Sequence, residues 1–255
     1  MKKSSSQAFT LVELLTVMVI ILILAGIVMS TVGYAQKKAA KSRALSEINA
    51  MSSACESYKT DNGGYPRNVS TDKLDPNNAS YSSAAAPATS GTSLTPNAYS
   101  KASMWLYACL SGDYNGDGMV NTSDGDAMYA ALGQTTKPGT ITPTKYMDFK
   151  DDMRGRYSST TDPTAGTDSY TFDPSAGADV AKGNAICYIS DPFNNVFGYS
   201  TIKNSVIAAD NAAGTTLATG SKITQGNNPS FDLWSTCGST TSGTTTAQQT
   251  WVKNW

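Results

Sequence analysis

An apolar run near the amino terminus, from Phe9 to Gly33, constrains this chain more than any other feature. As an α-helix at 1.5 Å per residue, its 25 residues would reach about 37 Å, which exceeds the ~30 Å hydrocarbon core of a bilayer. One carboxylate, Glu13, lies inside the run. Because a charge within a membrane helix costs about 2.5 to 3.5 kcal/mol on insertion scales, we expect Glu13 to have a use.

Two interpretations of the run are open. It could be a cleavable secretory signal, with a basic leader at its start and a cut after Ala35, although it is about twice as long as the usual apolar region of such signals. It could instead remain as a membrane-spanning helix. In that case Glu13 either takes part in assembly or directs its carboxylate toward the lipid headgroups. Basic residues stand on both sides of the run, so charge does not fix its orientation.

The start of the chain resembles a known processing signal. Lys2 and Lys3, followed by a short polar leader and then "AFTLVELL", are similar to the class III signal of type IV pilins and type II secretion pseudopilins. The resemblance implies that a prepilin peptidase cuts between Ala8 and Phe9 and methylates the new amino terminus. It also implies that Glu13, at the fifth mature position, pairs with the terminal amine of a neighbouring subunit in a fibre. The family usually has Gly before the cut, where this chain has Ala8.

Beyond the run, apolar residues recur at helical spacing and predict that the helix continues outside the membrane. This stripe consists of Ala44, Ile48, Met51, Cys55 and Tyr58. The sequence "NGGYP" at 62–66 predicts the end of the helix, and "YKTDNGGYP" resembles the end of the first helix of major pseudopilins. The predicted parts of the chain are a leader at 1–8, a membrane-spanning or fibre-core helix at 9–33, an amphipathic continuation at 34–62 and a globular head at 63–255.

An acidic loop at 113–124 carries the clearest chemical pattern of the head. It lies between two predicted helices, marked by Trp105 to Leu110 and by Ala127 to Leu132, and it fits the twelve-residue calcium pattern. The candidate ligands at positions one, three, five, seven, nine and twelve are Asp113, Asn115, Asp117, the Met119 carbonyl, Asn121 and Asp124. Asp at position twelve resembles dockerin loops rather than EF-hands. We predict a structural calcium ion here; the alternative is a polar turn that binds no metal.

Two stretches nearer the carboxyl end predict antiparallel strands: "NAICYISDPFNNVFGYS" and "NPSFDLWSTCG". Both also resemble the last strands of major pseudopilins. Major pseudopilins commonly bind calcium after the last strand through acidic residues, whereas the final 20 residues of this chain contain no Asp or Glu. We therefore favour the loop at 113–124 as the calcium site. Ranges 68–97 and 157–183 predict surface loops, and Trp251 and Trp255 are expected to pack against the head.

Composition excludes several classes of function. The chain has no histidine, which removes Ser-His-Asp triads, Cys-His dyads and the usual zinc ligands. Its 19 basic and 20 acidic residues give a formal charge of -1, so no general field attracts nucleic acid. The four cysteines form no C-x-x-C pair, and outside the cytoplasm they allow two disulfides. Of three connectivities we favour Cys55 with Cys109 and Cys187 with Cys237.

These observations and the resemblance predict an α+β, pilin-like fold in which a long N-terminal helix packs on a small antiparallel sheet. The implied function is that of a non-enzymatic fibre subunit, the major pseudopilin of a type II secretion system, with a single pass through the inner membrane and its head in the periplasm. The implied partners are the membrane, copies of the same chain, minor pseudopilins, the inner-membrane assembly platform and prepilin peptidase, and not nucleic acid. The alternatives are a type IV pilin for adhesion, motility or DNA uptake, and a secreted or surface calcium-binding module.

Overall fold

The computed structural model describes residues 10–77, 96–136, 139–156, 168–174, 179–212, 226–238 and 250–255. Contacts between residues divide the chain into two compact units, 1–42 and 43–255. The predicted leader at 1–8 lies outside the described residues, so its boundary stays a prediction.

Helix α1, Leu11–Asn62, is the longest element and confirms the predicted N-terminal helix. Within the second unit, the predicted stripe faces the core: Ala44, Ile48, Met51 and Cys55 are fully buried, and Tyr58 packs against them. The helix ends at Asn62, directly before the two glycines from which its end was predicted. Gly63 adopts the left-handed conformation, with φ of 76°, and its N–H donates to the Lys59 carbonyl at 2.8 Å.

Helix α2, Ala98–Ser111, forms the centre of the head. The Asn97 side chain accepts a hydrogen bond from the Ser100 N–H at the start of the helix, and Gly112, with φ of 83°, ends it. The predicted helix around Trp105 to Leu110 is confirmed, but it has no exposed polar face, since every residue from Tyr99 to Ser111 is buried. Two strands further along the chain, Ile186–Ile189 and Gly198–Ser200, pack against α2 and help to cover it.

Two shorter helices complete the α-helical part of the described chain. Helix α3, Thr122–Ala131, confirms the predicted helix after the acidic loop and ends one residue before Leu132, which is 50% exposed. Helix α4, Ile202–Ala212, was not predicted.

In the residues that the structure describes, short antiparallel strands make up three small sheets. Strand β1, Arg154–Arg156, follows a 3-10 turn at Asp151–Met153 and pairs with β4, Ile186–Ile189. Strand β2, Ser169–Thr171, pairs with β3, Val180–Lys182. The third sheet has the order β5, Gly198–Ser200, then β6, Asp232–Ser235, then β7, Val252–Lys253. The predicted α+β, pilin-like fold is confirmed.

Both stretches that were predicted to form strands do so, whereas one predicted loop contains strands. Strands β4, β5 and β6 lie in the two stretches that predicted them. The predicted loop at 157–183, however, contains β2 and β3, whose central residues Tyr170 and Ala181 are buried. Each of these strands has only three residues, which is too short for an alternating pattern to appear in the sequence.

An aromatic cluster packs around Trp234 in the third sheet. Trp234 is fully buried, and its ring stacks on that of Trp251 with centroids 6.2 Å apart. The Trp255 ring packs edge-on against Trp234 at 5.8 Å. The prediction that both C-terminal tryptophans pack against the head is confirmed.

Candidate functional site

The carboxylate of Glu13 closes the first turn of α1. Its Oε2 accepts hydrogen bonds from the Thr10 N–H at 2.9 Å and the Thr10 hydroxyl at 2.8 Å, and the Glu13 N–H donates to the Thr10 hydroxyl at 3.3 Å. This reciprocal arrangement is a capping box, which satisfies backbone donors that have no partner at a helix start. The stretch "TLVE" has the spacing of Thr and Glu that such a cap requires, a signal that was present in the sequence.

The helix that follows Glu13 presents apolar side chains to its surroundings. Large apolar residues from Leu11 to Val32 are between 44% and 83% exposed. An 18-residue window of α1 has a mean hydropathy of 2.9 and none of it is buried, which makes this helix long and apolar enough to cross a membrane. Such a surface is unfavourable in water, so it needs lipid or the apolar helices of other subunits around it.

The described residues include the predicted assembly residue but not the two predicted processing residues. Ala8 and Phe9 lie outside the described residues, so cleavage between them stays a prediction. Glu13 is hydrogen-bonded within its own chain, and its pairing with a neighbouring subunit also stays a prediction.

Asp113 opens the acidic loop as a buried carboxylate. It is 1% exposed, and its Oδ1 accepts the Gly116 N–H at 2.7 Å. Its Oδ2 accepts the Gly118 N–H at 2.9 Å and the Tyr107 hydroxyl at 2.8 Å. Burial raises the pKa of Asp113 to about 6, and the negative charge of Asp124 contributes to this rise. The groups that donate these hydrogen bonds are neutral, and the guanidinium groups of Arg154 and Arg156 lie beside Gly118.

Asp124 closes the loop and is buried in the same way. Its Oδ1 accepts the backbone N–H groups of Tyr114 and Asn115 at 2.8 and 3.1 Å, and its Oδ2 accepts that of Asn121 at 2.8 Å. Burial raises the pKa of this carboxyl as well. Asp124 therefore both caps helix α3 and fixes the two ends of the loop against each other.

The middle of the loop holds the other predicted ligands in turns. Asp117 accepts the Met119 N–H at 2.7 Å and the Asn115 side-chain N–H at 3.1 Å, and the Asn121 side chain accepts from Ser123. In the part of the chain that the structure describes, no three His, Cys, Asp or Glu side chains lie close enough together to hold a metal ion. The loop does supply oxygen donors of the kind that calcium prefers, two of them buried carboxylates, and the calcium site stays a prediction.

The loop is joined to the sheets by its backbone. The Tyr170 N–H in β2 donates to the Asn115 carbonyl at 2.6 Å, and the Ile186 N–H in β4 donates to the Gly116 carbonyl at 2.8 Å. Anything that orders the loop will therefore also order these two strands.

The cysteines do not form the favoured disulfides in this structure. Cys55, Cys109 and Cys187 are buried free thiols, so neither the Cys55–Cys109 nor the Cys187–Cys237 bond is present. Cys55 and Cys109 belong to one buried cluster, and burial raises the pKa of both thiols, that of Cys109 to about 12. Cys187 approaches the Gly155 carbonyl and Cys237 approaches Ser235. The connectivity in an oxidising compartment stays a prediction.

The turn between β4 and β5 is built around Asp191, in the first of the two stretches that resemble major pseudopilins. Asp191 is buried, and its Oδ1 accepts the N–H groups of Phe193 and Asn195 at 2.9 and 2.8 Å. Its Oδ2 accepts the Ser235 hydroxyl at 2.5 Å, which links the turn to β6. These residues are structural. Residues 239–249 of the following tail lie outside the described residues, so the expected loss of a C-terminal calcium site stays a prediction.

An exposed apolar helix that begins with a capping box at Glu13, followed by a small α+β head, fits a membrane-anchored protein with a pilin-like fold. Comparison with known sequences gives a narrower placement. Residues 3–29 match the family model of the prokaryotic N-terminal methylation motif. The predicted resemblance of this segment to the processing signal of pilin-like proteins is thereby confirmed.

Three curated relatives share the name type II secretion system core protein G. Identity is 39% over 66 residues with the proteins of Klebsiella michiganensis and Aeromonas hydrophila, which covers 26% of this chain and 46% of each relative. For the Escherichia coli protein it is 42% over 60 residues, or 24% of this chain and 41% of the relative. The chain thus spans less than half the length of the relatives that it matches. No solved structure matches it.

Proposed function

We propose that this chain is a structural subunit of a pilus-like fibre, the major pseudopilin of a type II secretion system. The observation that carries the proposal is the N-terminal segment, in which a methylation motif at 3–29 leads into an exposed apolar helix with Glu13 at its start. The similarity to relatives named type II secretion system core protein G supports the same conclusion. The protein would act by assembly and not by catalysis.

The proposed setting follows from the same segment. The apolar part of α1 would cross the inner membrane before assembly, with the head in the periplasm, and would then pack into the core of the fibre. The proposed partners are further copies of this chain, minor pseudopilins, the inner-membrane assembly platform and prepilin peptidase. Among the alternatives, a type IV pilin and a secreted calcium-binding module receive no support from the names of the relatives.

Processing tests this proposal most directly. We expect the mature chain to begin at Phe9 with a methylated amine, and its side chains to carry a formal charge of -3, since removal of Lys2 and Lys3 leaves 17 basic and 20 acidic residues. Intact-mass measurement and N-terminal sequencing of the membrane fraction decide this. Cells without prepilin peptidase are the control and should contain the unprocessed chain. A mature chain that begins at Gln36 would show a cleaved secretory signal and overturn the proposal.

We also propose that the loop at 113–124 binds calcium as a structural ion. Two buried carboxylates, Asp113 and Asp124, repel each other when the loop is empty, and a divalent cation would remove that repulsion. Because the loop is hydrogen-bonded to β2 and β4, the ion would stabilise the sheets as well as the loop.

Calcium is therefore expected to raise the thermal stability of the head. At a concentration 100 times the dissociation constant, binding to the folded state alone adds roughly 2.7 kcal/mol. The measurement is thermal unfolding of the full chain in detergent, with calcium and with chelator. Asp117→Ala should reduce the response, whereas Asp126→Ala, just outside the loop, should keep it. If calcium does not change the melting temperature of the wild type, the loop is a polar turn that binds no metal. If Asp117→Ala keeps the full response to calcium, the ion binds elsewhere.

A further inference from the structure

A cavity of about 330 Å³ opens in the head near the end of α1. Its lining is rich in tyrosine, and these rings come from separate parts of the chain: Tyr58, Tyr114, Tyr129 and Tyr146. The Tyr58 and Tyr146 rings pack edge to face with centroids 5.3 Å apart, so they hold each other in place. The volume lies at the lower end of the roughly 300 to 1,000 Å³ typical of ligand pockets.

Polar but uncharged groups complete the lining. They are supplied by Asn62, Gln134, Thr142 and Thr144. The Asn62 side-chain N–H donates to the Tyr146 hydroxyl at 3.0 Å, which orients both groups. The described residues that line this cavity include no Asp, Glu, Lys or Arg. A ligand for it is therefore neutral, with flat apolar faces for the rings and hydroxyl groups for the amides.

A second cavity, of about 180 Å³, shares Leu132 with the first. Its aromatic residues are the buried Trp105 and Phe172, and its lining carries the charged residues Arg67 and Asp173. Trp105 is 2% exposed, and its indole N–H has no hydrogen-bond acceptor within the described chain. That nitrogen is sealed from solvent, so it offers no hydrogen bond to a ligand in the cavity.

We propose that the larger cavity binds a neutral oligosaccharide, with one sugar ring against its tyrosines. Tyrosine rings pack on the C–H faces of sugars, and the amide and threonine groups match sugar hydroxyls. A phosphorylated or acidic ligand would lack a cationic partner in the larger cavity. A purely apolar ligand would leave Asn62 and Gln134 desolvated without hydrogen bonds. The proposal does not depend on the fibre function, because binding is measured on the isolated protein.

The test is calorimetric titration of the full chain with cellotetraose, maltotetraose and chitotetraose. The protein is held in a zwitterionic detergent, because alkyl glycoside detergents carry sugar headgroups that would compete. We expect saturable binding of at least one tetrasaccharide. Tyr129→Ala should weaken binding by about tenfold or more, whereas Tyr129→Phe, which keeps the ring, should stay within about threefold of the wild type.

Two further variants keep the outcome clear. Gln134→Ala alters an exposed residue after α3, so it should weaken binding even if Tyr129→Ala fails to fold. Tyr34→Ala, at an exposed tyrosine that lines neither cavity, should bind as the wild type does. The proposal is overturned if no tetrasaccharide saturates the wild type, or if Gln134→Ala and the folded Tyr129 variants all keep the wild-type affinity. If the wild type binds a proline-rich control peptide saturably but none of the tetrasaccharides, the proposal is also overturned, and the ligand of the cavity is a polypeptide.

Discussion

Replacement of Glu13 by alanine is expected to abolish fibres while the protein remains in the membrane. In the proposed assembly, the carboxylate pairs with the methylated amine of a neighbouring subunit inside an apolar helical bundle. Opposite charges attract strongly where the dielectric constant is low, and either charge left alone there is costly. The variant would leave the amine of each incoming subunit without its partner. Electron microscopy and immunoblotting of sheared fractions from cells that overproduce the variant measure the effect.

The capping box makes a second variant necessary. Glu13→Ala also removes the hydrogen bonds to Thr10, so fibre loss could in principle reflect a weakened helix start. Thr10→Val removes the hydroxyl of the cap but keeps the carboxylate, and loss of such a cap costs about 1 kcal/mol. We expect Thr10→Val to form fibres, in reduced amount. Normal fibres from Glu13→Ala would refute the assembly role, and equal loss from both variants would assign the effect to the cap.

Trp234→Ala is expected to lower the free energy of unfolding of the head by about 3 to 5 kcal/mol, because it removes a large, fully buried ring and leaves a cavity. The ring contacts Tyr99, Trp251 and Trp255, and its Nε1–H donates to the Tyr99 hydroxyl at 3.2 Å. It also covers Gly198 on the neighbouring strand, where a Cβ would collide with the indole. The loss is a large part of the 5 to 15 kcal/mol typical of a whole domain.

Chemical denaturation in a mild detergent, followed by circular dichroism, measures this change. Trp255→Ala is the matched control, since that ring lies at the chain end and is only half-buried. We expect the control to lose less than half as much stability as Trp234→Ala. Equal losses would show that the aromatic cluster acts as a unit instead of depending on its central ring.

The sequence by itself determined the features that arise within short stretches of chain. The apolar run, the stripe from Ala44 to Tyr58 and the glycines after Asn62 predicted helix α1, because helical spacing and helix ends are set by neighbours a few residues away. The leader and "FTLVELL" likewise predicted the methylation motif that the family comparison confirmed. The cap formed by Thr10 and Glu13 also depends only on residues three positions apart, so the sequence could have predicted it.

Only the tertiary structure decided features that depend on distant residues. Helix α2 is buried on every side because strands far along the chain cover it. Strands β2 and β3 exist as a pair, and their Tyr170 N–H bonds to Asn115, which no local pattern indicates. The tyrosine-lined cavity likewise collects residues from Tyr58 to Tyr146. Contacts across such separations follow from how the core packs as a whole, and a single sequence does not specify that packing residue by residue.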